Sequence, residues 1–399
     1  MKVLVVHESY QQPGGEDQSV NADIALLRSH GNDVIEYRRH NWDIGRYGAV
    51  RLGLTTVWSW SSYHELKELI TEQRPDVVHV HNTLPLISPS GLWAAKQVGT
   101  TVIHTLRNYR LACPNALFYR NGDVCEDCLR WPVPLPGMVH GCYRASRSAT
   151  TAIAAMLTLH RLIGTWQRAV DAFIVLTEFQ KRKLIAAGLP ERKLTVRPNF
   201  VAPDPGVGAG NGGYALFVGR LTREKGIITL LKAWQHLDMP IPLTIAGDGP
   251  LADEVRSAAA TSAAITYLGP VPHGRTIGLM KGAAFLVFAS EWYETFGRTI
   301  IEAWAVGLPV IAARRGAAKE IVDDGRTGVH FVPGDSYDLA KAVEHCLDRD
   351  AQSRLEMRHA CRREYLEKYT ADRAYQRLMA IYHAANGRTA GKTAGLPCG

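Results

Sequence analysis

The chain has 399 residues, 46% of them hydrophobic and 21% charged, which excludes a disordered polyelectrolyte and exceeds what one hydrophobic core serves, so about two globular domains are expected. Its net charge of +8 suits an acidic partner such as phosphate or anionic lipid, whereas no helix-turn-helix, RRM or KH signature offers a place for nucleic acid. The opening seven residues lack a secretory leader pattern and no apolar run reaches about 18 residues, so a cytoplasmic protein that rests peripherally on the inner face of a membrane is expected.

Short apolar, β-branched runs alternate with helix-length segments along the chain. In the first half they fall at 2–6, 33–37, 76–80, 100–106, 171–177 and 194–197; in the second half at 214–219, 242–247, 265–269, 283–289, 308–312 and 328–332. Continuous rather than alternating apolar strands indicate parallel sheets covered on both faces, and strands separated by helices indicate βαβ units. Between the two sets, residues 199–213 are rich in Pro and Gly and read as a linker. The boundaries predicted are therefore 1–198, 199–213 and 214–368, followed by a C-terminal helix over 369–386 and a disordered tail over 387–399.

An irregular insert over about 110–147 carries Cys113, Cys125, Cys128 and Cys142. The Cys125-x2-Cys128 spacing fits a structural zinc completed by Cys113 and Cys142, a redox pair, or free thiols. Four thiolates leave no open coordination position, so a catalytic zinc is not expected. His79 and His81 in a buried strand are read as packing residues, and Trp58, Trp60 and Tyr63 as a core cluster or a sugar or lipid contact.

Two stretches carry the chemistry. After the strand at 283–289, Glu294-Thr295-Phe296-Gly297 precedes a helical run that holds Glu302 about a turn and a half inside. Unpaired amides at that helix start can hold a diphosphate, Gly297 lets a ligand approach the backbone, and the two carboxylates can accept from sugar hydroxyls. After the strand at 214–219, Gly219-Arg220-Leu221-Thr222-Arg223-Glu224-Lys225-Gly226 places two cations about a tight turn, a phosphate clamp in which Arg220 binds bidentately and Lys225 acts as a point charge.

Glu294-x7-Glu302 and its surroundings, through Glu302-Ala303-Trp304-Ala305-Val306-Gly307-Leu308-Pro309-Val310-Ile311, resemble the group 1 (family 4) retaining glycosyltransferases. The similarity extends to Gly219-Arg220-Leu221, Glu224-Lys225-Gly226, Ala246-Gly247-Asp248-Gly249-Pro250, Gly269-Pro270-Val271 and, in the first half, Pro13-Gly14-Gly15-Glu16 and 75–81. The resemblance implies a GT-B α/β fold: two Rossmann-like domains whose parallel sheets face across a cleft, acceptor-side first and nucleotide-sugar-binding second, with the C-terminal helix packing back on the first. It implies transfer, with retention, of a sugar from a UDP-, GDP- or other nucleotide-sugar donor to a saccharide or lipid-linked acceptor in polysaccharide or cell-envelope glycan assembly, without a catalytic metal. Arg220 and Lys225 match the pair that binds the donor diphosphate, Glu302 the ribose carboxylate, and Glu294 the carboxylate near the transferred sugar. Phe296 and Gly297 match backbone contacts, Val271 a base contact, and Gly14 and Gly15 a loop closing on the donor. Where the family usually has a His at the end of the fourth strand this chain has Arg107, an alternative donor-sugar contact. Two further readings share the architecture: a nucleotide-sugar 2-epimerase and a non-catalytic nucleotide-sugar-binding scaffold.

Overall fold

The computed structural model describes residues 1–11, 14–238 and 241–393. The chain divides into two compact units. The first comprises Met1–Phe118, Glu126–Pro198 and the chain from Ala374 on; the second comprises Tyr119–Cys125 and Asn199–Arg373.

All twelve apolar runs form strands. In chain order these are β1 (Lys2–Ser9), β2 (Asp33–His40), β3 (Val77–Val80) and β4 (Thr101–Thr105), a short antiparallel hairpin β5 (Tyr119–Arg120) and β6 (Asp123–Val124), then β7 (Ala172–Val175) and β8 (Leu194–Val196). The second set is β9 (Ala215–Val218), β10 (Leu243–Ala246), β11 (Ile265–Tyr267), β12 (Phe285–Phe288), β13 (Val310–Ala313) and β14 (Gly328–Phe331). The first unit holds a six-stranded sheet in the order β2-β1-β3-β4-β7-β8, the second a sheet in the order β11-β10-β9-β12-β13-β14. Both are parallel throughout. Burial explains their legibility: β3, β7, β12 and β13 are covered at every residue, and His79 of β3 is the one polar side chain among them.

Strand order locates the ligand crevices. In an open α/β sheet, ligands bind outside the carboxyl ends of the strands where the order reverses. In the second unit that point lies between β9 and β12, so the loops beginning at Gly219 and Ala289 meet there. In the first unit it lies between β1 and β3, so His7, Glu8 and His81 mark it.

The first unit is pinned by a buried charge cluster. Asp23, on the helix Gly15–Ser29, accepts from Arg107 Nη2 at 2.6 Å and from Arg197 Nη2 at 2.7 Å. Burial alone would raise the Asp23 pKa, but Arg197 and then Arg107 hold it below the usual carboxylate range. Arg197 Nε also donates to the Ala374 carbonyl, so the cluster ties the C-terminal helix into this unit. Tyr382 on that helix bonds His79 Nδ1 at 2.7 Å, and Tyr375 accepts from Asn32 Nδ2 at 3.1 Å.

Two boundary expectations change. The helix Ala371–Thr393 runs through residues expected to be a disordered tail; once a helix is nucleated by buried Leu378, Ile381 and Tyr382, each further residue adds at little cost. Residues 394–399 lie outside the described residues. The Gly-rich stretch read as a linker is a strap laid on the second unit: the amides of Gly208, Gly210 and Gly212 donate to the carbonyls of Val306, Lys281 and Gly282 at 2.9, 2.8 and 2.8 Å. Small residues there serve backbone approach rather than free swivelling.

Asp23→Ala should destabilise the protein by about 3–5 kcal/mol, because it strands two buried guanidinium groups. Urea denaturation followed by circular dichroism measures it; a loss under about 1 kcal/mol would show the cluster to be dispensable.

Candidate functional site

The second unit's switch point is built from two loops that lock together. The first leaves β9 through Gly219 and Arg220, tightens into a 3-10 turn at Arg223–Lys225, and ends at Gly226 in the left-handed region, φ 72°. A Cβ on Gly226 would lie 2.0 Å from the Ala289 carbonyl oxygen, at the end of β12. Only glycine lets the turn close against that strand. The second loop leaves β12 and reaches Gly297, φ 90°, which caps the helix Arg298–Ala305. A Cβ on Gly297 would meet Ile300 Cδ1 at 2.9 Å and Phe288 Cζ at 3.1 Å. Between the loops, the Glu291 amide donates to the Glu224 carbonyl at 2.8 Å and Thr229 Oγ1 donates to Glu291 Oε1 at 2.5 Å.

This locking brings Lys225 to Glu294. Lys225 Nζ lies 2.5 Å from Glu294 Oε1, which also accepts from Ser290 Oγ at 2.8 Å. Lys225 also lies 5.5 Å from the centre of the Trp292 ring. Arg220 is exposed and makes no ion pair among the described residues. Beside this pair begins the eight-residue helix at Arg298, whose first amides have no carbonyl one turn back within the helix. Ile300 N–H bonds back to Gly297 O at 3.0 Å, which leaves the amides of Arg298 and Thr299 as the ready donors for an anion.

Glu302 is buried on the same helix, where Arg298 Nε donates to its Oε1 at 2.9 Å. Phe296 buries its ring, 6.0 Å from that of Tyr369, so only its backbone faces the loop. Val271 follows β11 on the same carboxyl edge and is half-buried. Lys225, Glu294, Phe296, Gly297 and Glu302 thus lie on the two locked loops and the helix after them, with Arg220 where the first loop leaves β9 and Val271 after β11.

Sequence reasoning missed several members. Arg298 orients Glu302, and its Nη1 is buried with no hydrogen-bond partner. Arg315 donates from Nη1 to the Glu291 carbonyl at 2.6 Å and to Asp123 Oδ1 at 3.2 Å. The hairpin β5–β6 thereby joins this crevice, although its residues belong in sequence to the Cys-rich insert. Burial, with Glu291 and Glu224 nearby, pushes the Tyr119 hydroxyl of the hairpin up to about 12. Such contacts carry no local sequence signal.

In the first unit, the Gly14 amide donates to Asp17 Oδ2 at 3.1 Å, and Asp17 Oδ1 meets His7 Nε2 at 2.9 Å. Gly14 and Gly15 thus open the helix that follows β1, with open space where a Cβ would stand. Glu8 accepts from the amides of Leu86 and Ile87, and burial raises its pKa to about 7. Burial likewise lowers His79 to about 3 and His104 to about 4, which keeps these rings neutral. His79 uses both ring nitrogens, on Tyr382 and Thr105, as a packing residue does.

Arg107, expected as a donor-sugar contact, has a side chain 3% exposed whose Nη2 pairs with Asp23, a contact that braces the unit. Among the described residues no three His, Cys, Asp or Glu side chains are grouped as a metal requires. Cys113 Sγ donates to Asn115 Oδ1 at 3.0 Å, and Cys128 is buried against Gly137.

Comparison with known proteins bears on the family and the fold. The profile of the family "Glycosyl transferases group 1" matches residues 207–365, and that of the "Glycosyl transferase 4-like domain" matches residues 18–199. The chain belongs to the group 1 glycosyltransferases. It is similar to a glycogen synthase of Mycobacterium tuberculosis, 29% identical over 318 residues, spanning 75% of this chain and 67% of that protein. A D-inositol 3-phosphate glycosyltransferase of Mycolicibacterium smegmatis is 29% identical over 299 residues, 67% of each chain. Among solved structures, the Anabaena protein HepE in complex with UDP and glucose superposes with a TM-score of 0.68 at 17% identity, covering 96% of this chain and all of that one. Sucrose-phosphate synthase from Thermosynechococcus elongatus gives 0.70 at 16% identity, over 96% and 98%. The fold of this glycosyltransferase is GT-B.

Proposed function

We propose that this glycosyltransferase takes a nucleoside-diphosphate sugar at the β9/β12 crevice and transfers the sugar, with retention of anomeric configuration, to a saccharide or lipid-linked acceptor in polysaccharide or cell-envelope glycan assembly. The observation that carries the reading is Lys225 held 2.5 Å from Glu294 beside the helix start at Gly297. As the bond from C1 to the β-phosphate oxygen breaks, negative charge grows on the departing diphosphate. Lys225, Arg220 and the Arg298 and Thr299 amides supply fixed positive charge there, which is the work a divalent metal does in other sites. Glu294, anchored by Ser290, is left to accept from hydroxyls of the transferred sugar, and Glu302, oriented by Arg298, from the ribose. Val271 is assigned to the base, and Gly14 and Gly15 to the donor from the opening loop of the first unit. HepE bound to UDP and to UDP-glucose supports a uridine nucleotide as the donor class.

Peripheral attachment to an anionic membrane belongs to the same reading. Among the described residues no helix is long and apolar enough to cross a membrane. The helices Ala49–Val57 and Arg147–Leu162 leave Val50, Leu54 and Leu162 exposed, with Arg51 and Arg147 on the same two helices.

Lys225→Ala, Arg220→Ala and Glu294→Ala should each cut turnover of the cognate nucleotide sugar by about 10²–10³ with the circular dichroism spectrum unchanged. Activity should survive EDTA. Nucleoside-diphosphate release, assayed with membrane extract as acceptor, reads both; full activity in all three variants would overturn the assignment.

A further inference from the structure

We propose that the cleft beside Trp131 is a saccharide subsite that takes a hexose unit of the acceptor by stacking on the indole ring; this rests on the glycosyltransferase reading above and assigns part of acceptor recognition to the Cys-rich insert. The cleft lies within the first unit, has a volume of about 580 Å³, and is walled by Glu126, Asp127, Arg130, Trp131, Pro136 and Ala186. Sites for small organic ligands run from about 300 to 1,000 Å³.

Three observations point to a sugar. Trp131 leaves 50% of its surface in water, although an indole of that size gains most from burial. Its π face is negative, and a pyranose ring presents a face of C–H bonds carrying partial positive charge, so the two surfaces match in shape and sign. Around the ring stand the carboxylates of Glu126 and Asp127 and the Arg130 guanidinium, groups that accept from and donate to hydroxyls, which do both.

The cleft is also preformed. Glu126 is held by Lys183, 2.5 Å away on the helix Glu178–Ala186. Arg161 donates from Nη1 to the Pro132 carbonyl at 3.0 Å and from Nη2 to the Leu111 carbonyl at 3.1 Å, fixing the chain on either side of the turn Asp127–Arg130. Gly137 packs so closely on Pro114 and Cys128 that a Cβ would stand 3.0 and 3.3 Å from them. A rigid wall lowers the ordering cost of binding. Glu126 and Asp127 are offset by Lys183 and Arg130, so these four groups carry no net charge, which favours a neutral, hydroxyl-rich ligand over an anionic lipid head group or a free phosphate.

Saturation-transfer NMR on the full chain, with the methyl α-glycosides of glucose, galactose, mannose and N-acetylglucosamine as probes, tests the proposal. At least one glycoside should show transfer to its ring C–H protons. Trp131→Ala should weaken that binding about tenfold and raise the acceptor KM by a similar factor with kcat within twofold, while Trp131→Tyr restores both. UDP affinity, measured by calorimetry, should stay within twofold in both variants and so reports an intact fold. No signal from any glycoside, or unchanged binding in Trp131→Ala, overturns the subsite. If saccharide binding tracks Trp131 but no nucleotide sugar is turned over, the subsite stands and the transferase reading of the donor crevice fails instead.

Discussion

The ion pair between Lys225 and Glu294 joins the two loops on which the donor crevice depends. Neither residue could reach the other without Gly226 folding the clamp turn against the end of β12, or without the Glu224–Glu291 backbone bond holding the loops in register. The pair is partly covered, with side chains 20% and 9% exposed, so its charges are less screened than surface ones yet open to a ligand. In the proposed reading, a diphosphate entering beside it would bring a second anion for Lys225 and free the carboxylate, retained by Ser290, for sugar hydroxyls.

The first unit solves a different electrostatic problem. Its carboxyl edge buries His79, His81 and His104 as neutral rings and pairs Asp23 with two arginines. Arg107, just past the end of the fourth strand, has a helix carboxylate in the interior as its partner. The charge there braces strands and helix together, while the cations of the second unit lie at the crevice. Equal residue types therefore do unlike work, and burial decides which.

Much of this was legible in the sequence. Parallel strands buried on both faces leave continuous apolar runs, so all twelve could be read, and the spacing from Glu294 to Glu302 is local enough to survive translation into a loop and a helix. What stayed hidden depends on partners far away in the chain. The hairpin at Tyr119–Val124 is two residues per strand and is fixed by Arg315 nearly 200 positions later. Glycines at 208, 210 and 212 look like a tether until the carbonyls they donate to are known. Cysteine spacing likewise does not reveal that Cys113 donates to Asn115 or that Cys128 packs on Gly137. Local pattern reports the strand and the turn; it does not report which loop is pressed against which.

The central claim is that Lys225 reads the second phosphate of a nucleotide. Calorimetric titration of matched mono- and diphosphates, UMP against UDP and the guanosine and adenosine pairs, tests it directly. The account predicts that for the cognate base the diphosphate binds more than tenfold tighter, and that Lys225→Met erases the difference while leaving the monophosphate affinity unchanged. Equal loss of both nucleotides, or a diphosphate preference that survives the substitution, would contradict it.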